Sequence, residues 1–123
     1  MNTYTILKSF KENLITFLDE LIGQLPKEGD LIIARIFLND QVPIEIIVKY
    51  FCLNLLPLKD LVKNRDSGFF LNNNILFSEI SRDKVNHFKI LWRSGNLDED
   101  DRETIFRWFD TFLFLSEKYQ NSL

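Results

Sequence analysis

Leu31-Ile32-Ile33-Ala34-Arg35-Ile36-Phe37-Leu38 is a nearly unbroken apolar run, interrupted only by Arg35, and it separates two fold classes. A short, Ile-rich run suits a buried strand as well as a helix, and periodicity alone does not separate them. Pairing does. A strand needs a neighbour for its backbone N–H and C=O groups, and no second strand-like segment stands elsewhere in the chain. The run is therefore read as helix, with Asp30 as its N-cap and Asn39-Asp40-Gln41 as the turn that follows. With that, the whole chain becomes all-α.

Upstream, Ile6, Leu7, Phe10, Leu14, Phe17, Leu18, Leu21, Ile22 and Leu25 recur at spacings of three and four and predict a helix over Tyr4 to Leu25. The apolar arc covers about half the circumference, which is the width of a core face and wider than a coiled-coil seam. Pro26 and Gly29 punctuate its end. Downstream, Ile44 to Leu56 is apolar on almost every side, so it is expected to be the central helix, buried on several sides. Pro57 stops it, and Leu58 to Asn64 adds a further turn or two. Phe69-Phe70-Leu71 and Ile75-Leu76-Phe77 flank Asn72-Asn73-Asn74, a pattern suited to an irregular segment pinned by two apolar clusters. Ser81 caps a helix over Arg82 to Ser94 that Gly95 closes. Asp98, Glu99, Asp100 and Asp101 load the first turn of a last helix reaching Tyr119, where negative charge faces the exposed N–H dipoles. The expectation is one compact domain over residues 1–123, a bundle of about five to six helices.

The 123 residues are 46% hydrophobic and carry a formal net charge of -3, which excludes an intrinsically disordered chain. A lone cysteine, Cys52, excludes a disulfide scaffold and suits a reducing compartment. No signal-peptide pattern opens the chain, and no run approaches the ~18 to 20 apolar residues of a membrane span, so a soluble, cytoplasmic protein is expected with no membrane contact.

Reactive chemistry is sparse. His87 is the one histidine and falls away from the apolar side of its helix, while Cys52 sits within an apolar helix as a small core residue. No His/Cys pair has metal-ligand spacing, and the acidic run lacks both the turn glycine and the closing glutamate of a calcium loop. The four glycines are scattered singly, so no phosphate-cradling loop forms. The sequence predicts no catalytic residues, no cofactor and no metal.

Two surface features stand out instead. Phe114 falls in the polar arc of the last helix among Arg107, Asp110, Glu117 and Lys118, and an aromatic amid charges is a candidate partner anchor, with Arg107 and Asp110 beside it. Arg82, Lys89 and Arg93 form a basic stripe that could contact nucleic-acid phosphates. The chain's acidity opposes that second reading.

The C-terminal third, His87-Phe88-Lys89-Ile90-Leu91-Trp92-Arg93-Ser94 followed by Leu97-Asp98 and by Asp101-Arg102 to Ile105-Phe106-Arg107-Trp108-Phe109, resembles a pattern in small uncharacterised helical proteins of nucleocytoplasmic large DNA viruses. There, Phe-Lys-x-x-Trp precedes a short acidic loop and a helix with an Ile-Trp or similar aromatic pair; here Phe106 stands where that Trp would be. The resemblance implies a viral protein in the host cytoplasm or virion, and it supplies no activity and no site residue. Physically, the same pattern lets Phe88, Trp92, Trp108 and Phe109 interlock between the last two helices. Truncating Trp92 or Trp108 is then expected to cost about 3 to 5 kcal/mol. The leading expectation is a non-enzymatic interaction or scaffold module, binding a protein partner or itself near Phe114. The alternative is a nucleic-acid-associated accessory protein.

Overall fold

A computed structural model describes residues 2–66, 68, 90 and 97–123. Helix α1 spans Thr3–Gln24, α2 Gly29–Asp40 and α3 Ile44–Asn54; a 3-10 turn at Leu56–Leu58 leads into the single-turn α4, Lys59–Lys63, and α5 runs Glu99–Ser122. The fold is all-α. Among the described residues there are four long helices and the short α4, against the five to six expected of the whole chain. The helix expected over Arg82 to Ser94 and the segment from Phe69 to Phe77 lie outside the described residues.

Local chemistry explains most of the boundaries. The Asn2 side chain accepts from the Thr5 N–H at 2.8 Å and starts α1. Asp98 accepts from the Asp101 N–H at 2.8 Å while Asp101 accepts from the Asp98 N–H at 3.1 Å, a reciprocal box that makes the acidic run the start of α5. The Ile-rich run is helix, which removes the strand alternative. That helix opens at Gly29, so Asp30 stands inside its first turn and is not the N-cap. Asn39 and Asp40 also belong to it, not to a turn, because the Gln41 N–H still reaches the Phe37 carbonyl at 2.9 Å. Lys11 then donates to the Asn39 carbonyl at 3.1 Å, placing positive charge on the exposed carbonyls at the end of α2.

α1 and α5 are the antiparallel spine. Thr3 Oγ1 donates to Ser122 Oγ at 2.8 Å near one end, and Trp108 Nε1 donates to Glu20 Oε2 at 2.7 Å near the other. Between them Phe112 sits amid rings from three helices, with centroids 5.3 Å from Phe10, 5.6 Å from Phe17, 5.6 Å from Phe51 and 5.8 Å from Phe109. These tilted and edge-on arrangements suit the ring quadrupoles. Trp108 and Phe109 thus pack on α1 through Phe17; Phe88 and Trp92, their expected partners, lie outside the described residues.

The central helix is α5, not the one beginning at Ile44. α5 packs on α1, α3, α4 and the 3-10 turn, and it buries Ile105, Phe106, Phe109, Phe112, Leu113, Leu115, Ser116 and Tyr119. α3 buries Ile47, Val48 and Phe51, yet leaves Ile46 exposed and Leu53 76% exposed. The reason is length. At 11 residues α3 flanks one side of the spine, whereas the 24 residues of α5 run past every neighbour it packs on.

Candidate interaction surface

α2 carries apolar side chains on two sides, and among the described residues its main neighbour, α1, covers one. Leu31 and Leu38 pack half-buried on the core, and Arg35 pairs with Asp19 of α1. At about 100° per residue, Ile32, Ile33, Ile36 and Phe37 occupy the opposite arc, roughly 140° wide. All four are exposed, Ile33 the most at 64%, and none of the described side chains of α2 is fully buried. The one charged residue on that arc is Asp40, at its C-terminal end. An uninterrupted group of large apolar side chains on a surface is the ordinary mark of a contact site.

Phe114 is exposed as expected, at 53%. Lys118 Nζ lies 5.4 Å from its ring centroid and covers part of it. Arg107 is exposed, with Nε 3.6 Å from Glu103 one helical turn away. Asp110 is committed elsewhere. It takes Arg65 NH2 at 2.7 Å and NH1 at 3.1 Å, with Lys63 Nζ at 3.7 Å. Asp110 is thus ion-paired within the fold, while Arg107 and Phe114 stand exposed on the same side of α5.

Asp110 instead belongs to a charge ladder along α5. Glu103, Asp110 and Glu117 recur every seven residues and meet, in reverse order, Arg65, Lys63 and Lys59 from α4 and its exit. Arg65 is the anchor: it also donates to the Val62 carbonyl at 3.0 Å and lies 5.6 Å from the Phe106 ring centroid. It adopts φ 54°, a left-handed backbone that costs a non-glycine residue about 1 to 2 kcal/mol, offset here by its ion pairs. The hydrogen bond from Arg65 holds the Asp110 carboxyl below the usual range against a smaller opposing push from burial. Arg65 itself is held charged more firmly than usual by the same pairing.

Cys52 is half-buried, and its Sγ donates to the Ser116 carbonyl at 3.5 Å. Burial pushes the thiol up, against a smaller lowering from its contact with Ser116, which keeps it protonated and unreactive. Ser116 Oγ is wholly buried and has no hydrogen-bond partner among the described residues. Arg82, Lys89 and Arg93 of the basic stripe, and His87, lie outside the described residues. Among the described residues no acidic, His or Cys side chains cluster as metal ligands, and no helix is long and apolar enough to cross a membrane.

Two features escaped the sequence reading. The outer face of α2 was legible in principle, since a helix read from Leu31 to Leu38 has apolar residues at almost every position. The ladder was legible as acids seven apart. No family model, curated protein or solved structure matches the chain.

Proposed function

We propose that this chain is a non-enzymatic interaction or scaffold module that docks partners through the outer face of α2. The observation that carries the reading is the exposed arc of Ile32, Ile33, Ile36 and Phe37, free of charge until Asp40. Burying large apolar side chains is worth about 1.5 to 3 kcal/mol each, so a face of four is a sizeable driving force for association. The anchor expected at Phe114 moves to α2, because one aromatic among charges offers less apolar surface than a row of four. The resemblance in the C-terminal third supports a virus-encoded protein acting in the host cytoplasm or virion.

The test compares two surface variants of the full chain. Ile33→Asp/Ile36→Asp should lose the proteins recovered by cross-linking in extract while keeping the far-UV spectrum and melting transition of wild type. Phe114→Asp should retain them. An α2 variant that recovers the same partners as wild type removes the proposal.

A further inference from the structure

The arc on α2 has an internal symmetry. Ile32 and Ile36 form one ridge at i, i+4 spacing, and Ile33 and Phe37 form a second beside it. Two parallel ridges of this kind enclose a groove, and a helix with the same pattern fits by laying a ridge into it at a crossing angle near -50°. The pattern is also a palindrome. Reversed about the Ala34–Arg35 peptide, position 32 falls on 37 and position 33 on 36, so apolar meets apolar with no shift in register.

We infer that the outer face of α2 pairs with the same face of a second copy, across a two-fold axis level with the Ala34–Arg35 peptide. This rests on the proposed interaction role and names the partner. An isologous contact requires that no charge lie near its axis, since each charge there would meet its own kind. The acidic residues of α2, Asp30 and Asp40, are four to six residues away along the sequence, roughly 7 to 8 Å along the helix. The axis makes the two helices antiparallel, so the two copies of Asp40 lie at opposite ends of the contact, roughly 15 Å apart. A chain of net charge -3 meeting itself therefore does so at an uncharged part of α2.

The area sets the strength. With about half of each of four side chains accessible, one copy offers on the order of 400 Å², half the ~800 Å² per partner of a stable complex. The dimer is accordingly reversible and concentration-dependent, populated at high micromolar protein.

Sedimentation velocity of the full chain from low micromolar to near-millimolar concentration tests this. Wild type and Phe114→Asp should both climb from monomer toward twice the monomer mass, and Ile33→Asp/Ile36→Asp should stay monomeric throughout. As a second measurement that adds no charge, Ile36→Cys in a Cys52→Ser background should form a disulfide-linked dimer on mild oxidation. Phe114→Cys in that background should not. A wild type monomeric at every concentration overturns the inference, as does a dimer that survives the α2 substitutions or disappears in Phe114→Asp. If a monomeric wild type still loses cross-linked partners on α2 substitution, the interaction role stands and only self-pairing falls. If those partners are also unchanged, both fall.

Discussion

α5 and α2 use apolar side chains in opposite ways. α5 is the more polar helix by composition, with six carboxylates, yet its apolar residues fall on faces that three other helices cover, and Phe114 is its one exposed large hydrophobic. α2 is almost entirely apolar through its middle, and none of its described side chains is fully buried. Its main packing partner is α1, through the side carrying Leu31, Arg35 and Leu38. Burial follows from the number of neighbours around a helix, and composition predicts it only when those neighbours are known.

The sharpest way to break this contrast is truncation at matched positions. Phe112→Ala removes the ring on which α1, α3 and α5 converge and should cost about 3 to 5 kcal/mol, a large share of the ~5 to 15 kcal/mol of an ordinary domain. Ile36→Ala, on the open face, should change stability by less than about 1 kcal/mol, since alanine's helix propensity offsets the little packing lost. Denaturant titration of both variants decides it. Equal losses would mean that the outer face of α2 is covered within the monomer.

Trp108→Ala should fall between them, at about 2 kcal/mol, by denaturant titration. The ring packs on Phe17 and Phe112 but is only half-buried, so the 3 to 5 kcal/mol expected of a core tryptophan is too high. Its Nε1 bond to Glu20 is part of the loss. A full 3 to 5 kcal/mol would place Trp108 with Phe112 and widen the contrast between spine and edge.

The charge ladder on α5 gives a third, smaller effect. Arg65→Ala should cost about 1 to 2 kcal/mol at low salt and less at high salt, because the pairs are partly exposed and screened. The pH dependence has a definite sign. Asp110 titrates lower in the folded chain than the usual value of about 4, so its contribution is complete above that value and is lost as pH falls through the folded one. Urea titrations below pH 5 should show wild type losing stability with acid more steeply than Arg65→Ala. Parallel acid limbs would show that the ladder contributes nothing to attaching α4.

Much of the fold was readable before any coordinates. The spacing of Ile6, Phe10, Leu14 and Phe17 marked the inner face of α1, and the acidic start of α5 followed from the exposed dipoles at a helix N-terminus. Helix length and neighbours were not readable, because they are tertiary quantities. Ile44 to Leu56 looked central because its side chains are apolar, yet Leu53 is exposed. The candidate site was legible only in kind. Phe114 was found exposed, and Asp110 carries an ion pair to Arg65, forty-five residues upstream, that the sequence reading did not include. Nothing local to α5 encodes that pairing. The α2 face was hidden for the reverse reason: its residues look like core by type, yet they stand exposed.

Ser116→Ala gives the smallest effect and the most specific test of the spine's dryness. Its hydroxyl is fully buried on the α3-facing side of α5 and has no hydrogen-bond partner among the described residues, so the folded chain bears a desolvation cost that none of them repays. Alanine removes that group, keeps the backbone carbonyl that Cys52 contacts, and favours helix more than serine does. Stability should stay level or rise by up to about 1 kcal/mol, the reverse of every other substitution along the spine. The measurement is a denaturant midpoint at constant slope, so that compactness is not confused with stability. A loss exceeding about 1 kcal/mol would mean that the hydroxyl is satisfied in solution, by water or by a carbonyl one turn back. The spine would then hold a polar element that α2, with its open apolar face, lacks.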